Sequence, residues 1–247
     1  MTADLLLFVA VGFAAQIVDG ALGMAYGVIS TSVLMSFGIT PAVASASVHA
    51  AEVFTTGASA FSHWRLGNTD KRLFARLAIP GALGGIIGAY VLTELPSDLV
   101  RPFIHAYLAA IGALLLWKGL RKPIEPKLPR YVPLLGLSGG FLDAIGGGGW
   151  GALVASTLAA TGTRVRYAIG STNAAEFVVT TTVSATFVFT IGLELWPMIT
   201  GLIIGGVVAA PFAAYMTRLV PDRPLMILVG IVILALSLRG ILGIFQL

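Results

Sequence analysis

DGALGMAYGVISTSVLMSFGITPAVASASVHAAEVFTT, Asp19 to Thr56, is matched without a gap by DAIGGGGWGALVASTLAATGTRVRYAIGSTNAAEFVVT, Asp143 to Thr180, at an offset of 124 positions and with about twelve identities in thirty-eight. The chain is an internal duplication. Asp19 falls on Asp143, Gly23 on Gly147, Gly27 on Gly151 and Ser47 on Ser171, while Ala50, Ala51 and Glu52 fall on Ala174, Ala175 and Glu176. The acids recur inside the most apolar text.

Outward from these stretches the composition sets the solvent. Hydrophobic residues make up 57% of the 247 positions and charged residues 11%, whereas a soluble surface needs about 25 to 35% charged residues. The apolar runs are long enough for helices crossing a hydrocarbon core of about 30 Å, and no period-two alternation suggests barrel strands. An all-α polytopic membrane protein is expected, with the lipid bilayer as its surroundings. The net charge of +4 resides in short loops, where basic residues set orientation, so nucleic-acid binding is not expected. With no cysteine, disulfides and thiolate metal sites are excluded. Met1 to Asp4 places no Lys or Arg ahead of the first apolar run, so a cleaved secretory signal is not expected.

The apolar segments are 5–37, 41–62, 73–95 and 99–117 in a repeat spanning 1–123, then 131–162, 167–190, 196–217 and 225–246 in a repeat spanning 124–247. The first segment of each repeat has roughly 32 residues, about 50 Å as straight helix, which is too long for one span and short for two. Asp19-Gly20 and Gly23 interrupt one; Asp143 and Gly146 to Gly149 interrupt the other. Each is expected to be a broken, re-entrant helical hairpin.

Loop charge orients them. Arg65, Lys71, Arg72 and Arg76, then Lys118, Arg121, Lys122, Lys127 and Arg130, mark two cytoplasmic loops; Arg164 and Arg166 mark a third. Segment 131–162 then starts and ends inside, and 5–37 outside. Three crossings follow each hairpin, so the repeats are inverted, and inverted repeats with broken helices place a site near the midplane, where the two tips meet. Glycine runs there let N–H groups turn toward an anion.

Ser45, His49, Glu52, Thr56 and Ser59 follow spacings that share one helix face; the copy reads Ile169, Asn173, Glu176, Thr180 and Val183. Glu52 sits at midplane depth, where a carboxylate costs at least about 2.5 kcal/mol and must face the interior, pair or take a proton. Glu52 and Glu176 are read as proton-coupling groups, with a structural use, capping a broken helix or bonding N–H groups of the hairpin, as the alternative. For Asp19 and Asp143, beside the breaks, capping of a broken helix competes with that role. A lone His such as His49 is more often a hydrogen-bond partner than a proton carrier. Anion contacts are expected from Gly23, Ser47, His49, Gly147, Gly148, Gly149, Ser171, Thr172 and Asn173. Gly81-x-x-x-Gly85, Gly84-x-x-x-Gly88 and Gly201-x-x-x-Gly205 suit close helix contact within the bundle. No P-loop, dinucleotide fingerprint, zinc spacing or Ser/His/Asp set occurs, so no enzyme, metal or cofactor is expected.

The duplicated halves, the turn Gly146-Gly147-Gly148-Gly149-Trp150-Gly151 and the segment His63-Trp64-Arg65-Leu66-Gly67-Asn68-Thr69-Asp70 resemble the sulfite exporter TauE/SafE family over essentially the whole chain. The resemblance implies a secondary transporter of the bacterial inner membrane that moves sulfite, sulfoacetate or related small organosulfur anions, generally outward. Two rivals stay open: a cation, metal or amine carrier that uses the acids directly, and a channel or non-transport membrane partner. A homo-oligomer is also left open.

Overall fold

A computed structural model describes residues 2–22, 25–65, 67–121, 131–155, 157–158, 165–193, 195–216 and 222–244. Gly23, the boundary between the repeats at 123/124, Arg164 and most of the end of segment 131–162 lie outside these residues. Among the described residues there is no strand. The first half runs α1 (Thr2–Leu22), α2 (Tyr26–Ser36), α3 (Pro41–Arg65), α4 (Lys71–Glu94) and α5 (Ser97–Leu120). The second runs α6 (Val132–Gly146), a π-helical turn (Gly151–Ala155), α7 (Val165–Thr190), α8 (Trp196–Met216) and α9 (Asp222–Ile244).

Both expected hairpins contain a break, between Leu22 and Tyr26 in the first and at Gly147 to Gly149 in the second, but the aspartates expected at the breaks lie inside the preceding helices. Asp19-Gly20 stays helical and α1 runs on to Leu22. Asp143 likewise stays inside α6, which ends at Gly146. The reason is that each aspartate reaches past the break: the Tyr26 N–H donates to Asp19 Oδ1 at 3.3 Å, and the Trp150 N–H to Asp143 Oδ1 at 2.9 Å. A carboxylate seven residues upstream thus caps the next helical start, where N–H groups lack intrahelical acceptors. Gly147, Gly148 and Gly149 turn the second break with φ of 67°, 136° and 132°, a region costly to residues bearing a Cβ. After this turn the chain forms a π turn rather than the α-helix of its counterpart α2.

Local chemistry sets the other starts. Asp70 Oδ1 accepts the Arg72 and Leu73 N–H groups at 2.8 and 3.0 Å, fixing the first turn of α4. Pro41 opens α3, where its missing N–H costs nothing.

The helices pack across the halves. α1 lies on α8, and α4 on α6; α4 also meets α7, and α3 meets α8; α3 packs on α7, and α5 on α9. Under the duplication α1 corresponds to α6, α3 to α7, α4 to α8 and α5 to α9, so each pair maps onto another pair or onto itself. The hydroxyls of the equivalent residues Thr56 and Thr180 lie 3.4 Å apart.

α4 is inverted relative to a soluble amphipathic helix. Its buried face is small, with Gly81, Gly84, Gly85 and Gly88; its exposed face is large and apolar, with Ile79, Leu83, Ile86, Ile87 and Tyr90. Lipid tails offer no hydrophobic drive for helix association, so close backbone contact must hold the helices together. A Cβ on Gly84 would lie 2.0 Å from the Leu137 carbonyl oxygen of α6, and one on Gly205 2.0 Å from the Val9 carbonyl oxygen of α1. The glycine spacings therefore serve contacts inside the chain. By length and hydropathy α4 and α5 are each able to cross a membrane.

Candidate functional site

The polar stripe of α3 faces inward. Ser45, His49, Glu52 and Thr56 are buried and Ser59 half-buried, while Phe54 and Phe61 on the opposite face are exposed. The stripe meets the broken segments. A Cβ on Gly27, in the first turn of α2, would stand 2.7 Å from both Glu52 Oε1 and Gly148 Cα. One on Gly148 would stand 2.4 Å from the Gly27 carbonyl carbon. The two tips are therefore in backbone contact beside Glu52, and two hydroxyls fasten the glycine turn: Thr31 donates to the Gly147 carbonyl, and Tyr107 of α5 to the Gly148 carbonyl at 3.2 Å.

His49 is fully buried and its Nε2 lies 3.2 Å from Asp143 Oδ2, itself 1% exposed. Hydrogen-bond geometry assigns the protons. His49 Nδ1 is 2.8 Å from the Ser45 carbonyl, which can only accept. The Ser45 hydroxyl spends its proton on the Ala144 carbonyl at 2.6 Å. Nδ1 therefore carries a hydrogen, and the Nε2 to Oδ2 contact needs a further one to join two acceptors. Whether that proton resides on the ring or on the carboxyl, the pair is neutral overall and holds one shared proton.

Glu52 is 3% exposed, and its Oε2 is buried without a hydrogen-bond partner. Glu176 lies within Coulombic reach of Asp19, Glu52 and Asp143. An unpartnered carboxylate in a low-dielectric interior costs several kcal/mol. The centre thus has an unmet demand for positive charge or a proton.

The remaining residues read from the sequence divide. The Thr172 hydroxyl donates to the Ala168 carbonyl at 2.7 Å, and its own carbonyl accepts Trp150 Nε1–H at 3.2 Å. Asn173 donates to the Ile169 carbonyl at 3.0 Å; its counterpart His49 spans to the other half. Ser47 and Ser171, identical in both halves, are used elsewhere. Ser47 donates to the Val43 carbonyl and faces a pocket with Thr40, Thr93 and Gly192; Ser171 Oγ accepts the Asp70 N–H at 2.9 Å. Ser171 thus joins α7 to the start of α4, while Ser47 bonds within α3. The His63 to Asp70 segment is also a junction: the Asn68 N–H donates to the His63 carbonyl at 2.9 Å, and Asn68 packs against Gly170. No group of three or more potential metal ligands occurs among the described residues.

Thr31, Tyr107, Tyr26 and Trp150 belong to the tips but were not singled out from the sequence. Tyr26 and Trp150 carried a signal, as aromatics at equivalent positions directly before matched glycines. Tyr26 Oη donates to the Leu202 carbonyl of α8 at 2.9 Å. Ala25 takes the position of Gly149 and keeps a positive φ of 119°. Replacing it by glycine relieves about 1 to 2 kcal/mol of backbone strain and forfeits about 0.8 kcal/mol of methyl burial. Ala25→Gly should therefore leave thermal stability in detergent equal or slightly raised; a drop of several degrees would mean that the methyl contact outweighs the strain.

The family model described as Sulfite exporter TauE/SafE matches residues 8–240. A Bacillus subtilis (strain 168) protein named Probable membrane transporter protein YtnM is 41% identical over 251 aligned positions, covering 97% of this chain and 83% of the relative. The chain belongs to the sulfite exporter TauE/SafE family, whose members are membrane transporters and not enzymes.

Proposed function

We propose that the chain is a secondary transporter that moves a small anion, sulfite, sulfoacetate or a related organosulfur compound, outward across a bacterial inner membrane. In this reading residues 1–123 and 124–247 are inverted repeats, each a re-entrant hairpin followed by three crossing helices. The cargo binds near the midplane where the tips meet. The carrying observation is the backbone contact of Gly27 with Gly148 beside Glu52 and the His49–Asp143 pair. Broken helices meeting at a repeat interface are where transporters bind cargo, and each helical start offers N–H donors beyond the one its aspartate takes.

The acids shape the mechanism. Four carboxylates around an anion repel it strongly in low dielectric. The His49–Asp143 pair removes one net charge, and protons on Glu52 and Glu176 remove two more. Anion binding is thereby linked to protonation of the two glutamates. A membrane potential, inside negative, favours anion efflux by about 2.3 kcal/mol per charge at 100 mV, so export needs no other coupling ion. The unpartnered Glu52 Oε2 also favours a second reading, in which a cation or amine is the cargo.

The test is efflux of radiolabelled sulfite from proteoliposomes under an imposed potential. Saturable, potential-sensitive efflux inhibited by sulfoacetate or taurine is expected, and Glu52→Gln with Glu176→Gln should flatten its pH dependence. Normal rate and pH dependence in the double variant would remove the proton linkage. Absence of sulfite flux under a potential or a pH gradient, combined with uptake that divalent metals or amines compete for, would install the cation reading.

A further inference from the structure

Away from the tips, a cavity of about 430 Å³ opens between the end of α2, the start of α5 and the end of α9. Arg101, His105 and Arg239 line it together with Ser36 and Asp98. We propose that this cavity is a second binding site, for a small oxyanion.

Arg101 and His105 are four residues apart on α5 and share a face; Arg239 approaches from α9. Arg101 Nε and His105 Nδ1 are buried without hydrogen-bond partners, and His105 is only 5% exposed. Neither arginine forms an ion pair among the described residues. A basic side chain that merely snorkels to a membrane surface keeps its nitrogens hydrated, whereas these nitrogens are withdrawn from solvent with nothing to donate to. Arg101 Nε is an obligate donor left unmet, and His105 Nδ1 is a second one when it carries hydrogen; such groups call for a ligand with several acceptor oxygens. Asp98 sets a limit: its carboxylate offsets one guanidinium, so the cavity suits a compact anion better than a highly charged one. The histidine ring is fitted closely, since a Cβ on Gly240 would fall 2.1 Å from its Cε1.

The position gives the site a use. α2 joins the cavity to the central tips over about 15 Å of helix, and Ser30 and Ser32 along it, with Ser237 on the adjoining α9, have buried hydroxyls without partners. An anion held between Arg101 and Arg239 stands at the far end of α2 from Glu52, staged for the central site. This kinetic role rests on the anion reading of the cargo; the binding itself does not. The oxyanion has two available sources, a free anion and the phosphate of a lipid headgroup.

The test uses the purified full chain in nanodiscs of zwitterionic lipid, with sulfate as probe. Phenylglyoxal modification of Arg101 and Arg239 is followed by mass spectrometry, and sulfate binding by calorimetry. Sulfate should slow modification of both arginines, and Arg239→Gln, at an exposed position, should weaken sulfate binding by about tenfold or more, while Lys71→Gln leaves it unchanged. Protection without sulfate, seen only when phosphatidylglycerol is included, would assign the site to a lipid phosphate; protection by sulfate in zwitterionic lipid assigns it to a free anion. Modification rates indifferent to both would overturn the proposal. Sulfate protection in a protein that moves no sulfite would leave this site standing and remove the cargo, whereas sulfite flux without protection removes this site alone.

Discussion

Asp143→Ala should be severely destabilising, costing about 3 to 5 kcal/mol, the range for breaking a buried charged pair from one side. Two losses combine. The Trp150 N–H loses its cap at the start of the helical segment after the glycine turn, and the fully buried His49 loses the partner of its Nε2. Asp143→Asn is the informative companion. With Nδ1 of His49 donating to Ser45, a neutral ring presents Nε2 as an acceptor; the asparagine amide can donate to it while its oxygen keeps the Trp150 N–H. The fold should then survive within about 1.5 kcal/mol, with the shared proton gone. Thermal unfolding in detergent, read by tryptophan fluorescence, separates the two variants. If they unfold alike, the charge of the pair rather than its hydrogen bonds holds the tips.

The second large effect is steric. Gly148→Ala places a methyl within 2.5 Å of the Gly27 backbone at a φ of 136°. Backbone on backbone cannot be relieved by a rotamer change. Overpacking of about 1 to 3 kcal/mol adds to strain of about 1 to 3 kcal/mol, enough to empty the folded state of a marginally stable chain. Gly38 provides the control: its φ is 83°, and a Cβ there meets nothing within 4 Å. Gly38→Ala should show the strain alone. Size-exclusion yield and melting temperature should fall far more for Gly148→Ala; equal losses would show that the tips tolerate separation and that their contact contributes little.

The parts of this architecture readable from the sequence are those written locally. The run Gly146 to Gly149 marks a turn because no other residue type tolerates consecutive positive φ, and helical spacing alone places Ser45, His49, Glu52 and Thr56 on one buried face. What spans the halves was hidden. His49 and Asp143 are 94 residues apart, and only the packed bundle reveals that a lone histidine has a carboxylate waiting. Recurrence alone does not assign a role: Ser171 accepts the Asp70 N–H at the start of α4, whereas its match Ser47 bonds within its own helix and lines a pocket. Tyr107 and Arg101 lie on α5, beyond the aligned stretch, where duplication offered no guide. Capping is one of the roles read for Asp19 and Asp143, and the geometry adds the detail periodicity lacks, a carboxylate that reaches across the break to an N–H seven residues downstream.

Ala25 in the place of Gly149, and Asn173 in the place of His49, leave the two halves unequal at their point of closest approach. A carrier of two identical halves would have opposite-facing resting conformations of equal energy and would wait open to either side with equal frequency. Each unmatched contact tilts that balance, and about 1.4 kcal/mol is a tenfold preference. The histidine and the strained alanine both belong to the first half, so in the proposed carrier they weight the same arm of the exchange and set the side to which the protein idles open.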